Sequence, residues 1–220
     1  MRWTVPVLVV AGCGHVDYDA APAGRFRGSV IVAWVGETQA GLGDGRFVFV
    51  PSSDPLVFER GRPGSAPVIR PQMMYTDGGS IPQVAQAFRG LSPWGYAPAY
   101  MVHDWLFVAR KCLNDGQATE QEKTIESMEF PESAEVAAEA IRTLIAEGRV
   151  APDDVAPRAI ASAVAGPISR ALWNETGACA AQRIKPEHLR MIRRALPGVG
   201  GLRALRDGGP RARIVQVVEF

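Results

Sequence analysis

Near residue 81 the hydrophobic period of this chain changes, and that change limits the folds open to it. Before it, residues 26–35, 47–50, 56–58 and 67–70 are short β-branched or aromatic runs separated by Gly, Pro, Asp and Ser. They read as strands of a small antiparallel sheet, with Gly43-Asp44-Gly45 as a hairpin turn. Beyond it, apolar residues recur at helical spacing over 82–88, 98–113, 120–128 and 133–147, then over 158–164, 168–175, 186–196 and 202–206. Thr119-Glu120-Gln121-Glu122 fits a capping box opening the third helix, and Gly148 stops the fourth. Residues 213–220 return to strand-like alternation and could close the N-terminal sheet. The expected class is α+β, a small antiparallel sheet packed with a mainly helical body.

The 220 residues are 47% hydrophobic and 21% charged, enough for one full core or two small ones and against disorder or a fibrous repeat. A net charge of +1 excludes a strong overall field, yet the charge is segregated. Acids dominate from Asp115 to Glu147, and arginines with Lys185 dominate from Arg183 to Arg213. The two stretches read either as solvated faces packed against each other or as a basic end that meets phosphate. No aromatic residues interleave with those arginines in a base-stacking pattern, which argues against nucleic acid and leaves anionic lipid headgroups as the phosphate source.

The N-terminus bears on compartment. Met1-Arg2, a short apolar run over residues 3–10 containing Pro6, and then Val10-Ala11-Gly12-Cys13 resemble a bacterial lipoprotein signal. That resemblance implies a leader over 1–12, a lipidated Cys13, a small polar tether over 13–24 and a place at the cell envelope. The alternative is an internal first strand in a cytoplasmic protein. Residues 25–150 form the strands and helical core, and 151–220 a helical extension ending in a strand, within the same domain. No other stretch approaches the roughly 18 apolar residues of a membrane span. Cys112 and Cys179 remain as a pair, either one disulfide or two buried thiols. His15, His103 and His188 are far apart, and neither Cys-x-x-Cys nor His-x-x-x-His occurs, so zinc has no support.

The chemically capable side chains gather in Asp77-Gly78-Gly79-Ser80-Ile81-Pro82 and, about twenty residues on, Val102-His103-Asp104-Trp105-Leu106. Ala99, Val102, Leu106 and Ala109 mark a buried helical stripe with His103 beside it. His103 and Asp104 project about 100° apart on that helix, so each must find a different partner. The glycine turn offers backbone carbonyls and Asp77 a carboxylate, the oxygen donors that calcium prefers. A histidine beside such a cation can deprotonate a water. The same residues can also serve as caps and a core histidine bonded to a carbonyl.

Thr76-Asp77-Gly78-Gly79-Ser80-Ile81-Pro82, Pro93-Trp94-Gly95 and the His103-Asp104 helix resemble a bacterial and phage family of unknown function that carries Thr-Asp-x-x-Ser-x-Pro, Pro-Trp-Gly and His-Asp-x-Leu in this order. The resemblance covers roughly residues 70–144. More distantly the pattern is similar to prokaryotic and fungal secreted phospholipases A2. That similarity implies His103 as general base, Asp104 as calcium ligand, Asp77, Gly78 and Gly79 as the calcium loop, and a phospholipid surface as partner. It also implies a second carboxylate that orients the histidine, for which Glu120 and Glu122 are the candidates. Gly79 and Met101 stand where those enzymes commonly carry a loop-to-helix disulfide. The expected function is a calcium-dependent, phospholipase A2-like ester hydrolase at the envelope. The alternative is a non-catalytic envelope or phage-derived interaction module using the same loop and helix as a scaffold.

Overall fold

The computed structural model describes residues 16–36, 46–76, 95–151 and 163–220. Seven strands are described: β1 Arg25–Arg27, β2 Ser29–Val35, β3 Arg46–Pro51, β4 Val57–Glu59, β5 Val68–Ile69, β6 Met74–Thr76 and β7 Arg213–Glu219. The helices are α1 Ala97–Asn114, α2 Glu120–Lys123, α3 Phe130–Ala146, α4 Pro167–Trp173, α5 Cys179–Gln182 and α6 Pro186–Ala195. The class is α+β, but the strands divide into two antiparallel sheets. One runs β1-β4-β5 and the other β6-β3-β2-β7.

The division occurs at Gly28. Its φ of 83° is one that glycine adopts cheaply, and a Cβ there would lie 2.2 Å from the Pro55 carbonyl oxygen. The chain therefore turns between Phe26, which packs in the smaller sheet, and Val30, which starts the larger one. The run over 26–35 is thus two strands rather than one. The C-terminal strand joins the larger sheet beside β2, with Ser29 opposite Glu219 and Trp34 opposite Arg213, and is an edge among the described strands. The sheet is open, so the strand extends it without closing it.

β2 is apolar on both faces because both are covered. Val30 and Val32 join Phe49 and Met74 against Met101, Val102 and Leu106 of α1 and Ile141 of α3, in the larger core. Ile31, Ala33 and Val35 face the other way, toward Met191 and Ile192 of α6. Among the described residues the acid-rich stretch and the basic end meet at one ion pair, Glu122 with Arg183. Other acids of α3 turn elsewhere: Glu139 and Glu132 hold the buried Arg60 guanidinium, Glu139 Oε1 at 2.7 Å.

Boundaries follow local chemistry. Thr119 and Glu122 form the reciprocal capping box, Thr119 N donating to Glu122 Oε2 at 2.7 Å and Glu122 N to Thr119 Oγ1 at 3.3 Å. The helix it opens ends at Lys123, short of the stretch to residue 128 that periodicity suggested. α3 ends in a Schellman motif, with Gly148 at φ 69°, its N–H bonded to Ile145 O and that of Arg149 to Leu144 O. Residues 202–206, expected as a helix, are not helical, and β6 and α5 were not foreseen. Residues 16–24, expected as a tether, lie against the body: Tyr18 and Ala21 are buried, and Gly24 N donates to Thr143 Oγ1 at 2.8 Å. Cys13, the Gly43-Asp44-Gly45 turn and the helix over 82–88 lie outside the described residues, as does most of the one over 158–164. No helix among the described residues is long and apolar enough to cross a membrane.

Candidate functional site

α1 starts with Pro98 in its first turn, where a missing N–H does no harm, and runs to Asn114 with most of its circumference buried. His103 and Asp104 sit in its middle and diverge as adjacent helical positions must. Asp104 points to β6, where its Oδ2 accepts a hydrogen bond from Thr76 Oγ1 at 2.8 Å. Thr76 is the residue before Asp77, so this bond ties α1 to the strand that leads into the glycine turn. Asp77, Gly78 and Gly79 themselves lie outside the described residues, as do Pro93 and Trp94.

His103 turns the other way, into an aromatic cluster. Its ring lies 4.8 Å from that of Phe107 one turn on, and Phe107 meets Trp173 of α4 edge-on at 5.2 Å. Arg110 covers Trp173 with its guanidinium 4.8 Å from the ring centre. Asn114 Nδ2 donates to the Trp173 carbonyl at 2.9 Å, holding α4 against α1. The histidine as a residue is only partly buried, but its Nε2 is sealed from solvent and has no hydrogen-bond partner. With nothing to stabilise the imidazolium, desolvation pushes the His103 pKa down from 6.5 to about 4. The ring is neutral at pH 7.

The two carboxylates considered as orienters of His103 are committed elsewhere. Glu122 is buried, and both its oxygens meet Arg183, with Oε2 2.9 Å from Nη2, while Oε2 also closes the capping box. Burial works against its charge, but Arg183 and the Thr119 amide outweigh that and hold the carboxyl below its usual range. Glu120 is exposed and pairs with Lys123 at 2.7 Å. Neither hydrogen-bonds His103. The glutamate three residues after a threonine is a cap signature in the sequence, and that local role is the one Glu122 has taken.

One feature of the site had no clear sequence signal, and another decides between two alternatives that the cysteine pair left open. Phe107 is legible as the next turn of the stripe, but Trp173 arrives from a remote helix. That helix is followed by a covalent link: Cys112 of α1 and Cys179 of α5 form a disulfide, Cα to Cα 4.5 Å. Asp115 completes the join, accepting from the amides of Gly177 at 2.5 Å and Cys179 at 2.8 Å. On the opposite face of β6 from Thr76, the Tyr75 hydroxyl accepts from Lys185 N at 2.9 Å and lies 2.7 Å from His188 Nδ1.

Among the described residues no three His, Cys, Asp or Glu side chains gather as a metal site. Asp104 is the one member of the expected calcium set that is described, and its carboxylate is bonded to Thr76, the residue before Asp77 in sequence. The chain matches no family model, no curated protein and no solved structure. The likeness to the phage-associated family and to phospholipases A2 therefore rests on the residues that carry it.

Proposed function

We propose that this chain is an envelope-associated, calcium-dependent ester hydrolase of the phospholipase A2 type, with His103 as the general base. The observation that carries the reading is an imidazole nitrogen held unbonded inside α1, one residue from a carboxylate tied to the strand that feeds Asp77. Buried polar atoms are nearly always hydrogen-bonded, so an unbonded imidazole nitrogen supports a role other than stability. The neutral ring packs at 48° against Phe107, and to take a proton from water its Nε2 must be uncovered when substrate binds. Asp104 with Asp77, Gly78 and Gly79 would hold calcium, which supplies polarisation of an ester carbonyl. The disulfide supports an exported protein, because such bonds persist in oxidising compartments. Lipidation of Cys13 would keep the site beside phospholipid.

Fatty-acid release from phospholipid vesicles tests the reading. Release should require calcium, stop with chelator, and fall by about 10² to 10⁴ in His103→Ala, the usual loss on removing a general base. The acid limb of kcat/KM should lie near pH 4, where His103 gains its proton, instead of near 6.5. Well-folded protein that releases nothing, or releases equally in all three arms, defeats the proposal. One observation favours a second reading: no carboxylate meets His103 among the described residues, which suits a non-catalytic envelope or phage-derived scaffold. In that case His103→Ala changes stability alone.

A further inference from the structure

β6 turns successive side chains to opposite sides of the larger sheet, so while Thr76 reaches Asp104 on α1, Tyr75 lies on the α6 side. Arg46, Lys185 and His188 meet around its half-buried ring. The Arg46 guanidinium, from the first residue of β3, lies 4.8 Å from the ring centre. Arg46 stands opposite Val35 in the ladder, which sets it on the α6 face of the sheet. The imidazole of His188 stands at 88° to the ring, with Nδ1 2.7 Å from the hydroxyl oxygen. Lys185 starts from the same point, since its backbone N–H donates to that oxygen at 2.9 Å.

These bonds leave His188 with a donor to spare. The Tyr75 oxygen accepts from Lys185 N, and the hydroxyl proton has no acceptor among the described residues other than His188 Nδ1. The neutral imidazole therefore carries its proton on Nε2, which has no partner among the described residues. Arg46 and Lys185 are exposed, and neither has a carboxylate partner among those residues. Desolvation lowers the His188 pKa, and the charges of Lys185 and Arg46 lower it further against the opposing pull of Glu187. Holding α6 on the sheet accounts for the hydroxyl and for Nδ1. It does not account for two unpaired cations at one ring, which repel each other unless an anion lies between them.

We propose that Arg46, Lys185 and His188 form a binding site for a phosphate group, carried by a phosphomonoester or free in solution, on the α6 face of the larger sheet. The donor set selects this chemistry. A guanidinium fork bonds two oxygens at once, an ammonium adds a point charge and the Nε2–H a further direction. That combination suits a tetrahedral dianion with three free oxygens better than a planar carboxylate with two. Tyr75 presets two of the donors, Arg46 through its ring and His188 through its hydroxyl, so little side-chain freedom is lost on binding. Because Tyr75 and Thr76 project oppositely, the site is separate from His103 and Asp104 and stands whether or not the chain hydrolyses esters.

Titration of the whole chain with inorganic phosphate at neutral pH and constant ionic strength tests this, read from the His188 ring signals in NMR spectra, which His188→Gln identifies by removing them. Phosphate should shift those signals saturably, with a dissociation constant in the millimolar range. Arg46→Gln should weaken binding about tenfold or more, the usual loss with a charge-assisted bond pair, and acetate should bind about tenfold more weakly than phosphate. Arg206→Gln should change nothing, because its segment meets α6 at the far end, where Leu205 N bonds Arg193 O. Glycerol 3-phosphate and vesicles of phosphatidylcholine with phosphatidate separate the sources. Saturable binding of the first marks a soluble phosphomonoester, and Arg46-dependent cosedimentation with the second marks a lipid headgroup. A shift that never saturates overturns the proposal. So does an equal loss in Arg206→Gln, which marks a diffuse positive field, or acetate binding as tight as phosphate.

Discussion

An imidazole nitrogen sealed inside a helix without a hydrogen bond lowers stability, and His103 carries that cost with a stated pH dependence. Its pKa in the fold is about 4, below the 6.5 of the unfolded chain. Above pH 6.5 the ring is neutral in both states and stability is full. As pH falls toward 4 only the unfolded chain takes the proton, so stability drops by on the order of 3 kcal/mol and this group removes no more below that. His103→Leu should flatten that limb in urea titrations between pH 7 and 4 and stabilise the protein at pH 5. A limb unchanged by the substitution would assign the pH dependence to other groups. Arg60 presents the opposite case. Its side chain is 1% exposed and bonded to Glu139, also 1% exposed, and to Glu132. Arg60→Leu leaves two carboxylates without their cation and should cost about 3–5 kcal/mol by denaturant titration. A loss under about 1 kcal/mol would mean that water replaces the guanidinium.

At the scale of elements, α1 is held at its middle by Thr76 and at its end by Cys112. The disulfide spans 67 residues, and closing a loop of that length should stabilise the fold by about 4 kcal/mol. Cys112→Ser with Cys179→Ser should lower the melting temperature by that equivalent and free α4 with Trp173 from the His103 cluster. An unchanged melting temperature in wild type on reduction would deny the bond that role. Which of these elements the sequence disclosed follows from the range of the forces involved. Helices α1, α3 and α6, the capping box and the Gly148 stop rest on spacing within one element, and all were legible. The break at Gly28 was not, because the obstacle to a side chain there is the Pro55 carbonyl of a distant loop. β6 is three residues long and acquires its identity from pairing Phe47 with Thr76, and α5 from its disulfide. In the site, the divergence of His103 from Asp104 was legible from helical geometry alone. Trp173 beside Phe107 and Arg183 on Glu122 were not, being contacts across 50 residues and more that local pattern does not encode.

For the whole molecule, helices cover both faces of the larger sheet and its central strand joins opposite ends of the chain. β2 pairs with β3 through a short connection but with β7 across nearly the full sequence, Ser29 to Glu219. Closing so long a loop costs entropy before any contact rewards it, so refolding should be slow for this size, at or beyond the millisecond-to-second range. Stopped-flow fluorescence of the tryptophans with the disulfide intact and reduced measures it. A dominant phase in microseconds would mean that β7 docks on a core already formed. The same arrangement bears on how the protein is made. Until residues 186–219 have been synthesised, Ser29–Val35 has one flank without its strand and one face without α6, leaving a run of valine, isoleucine and tryptophan uncovered. A nascent polypeptide in that state exposes the kind of apolar surface that holding chaperones bind.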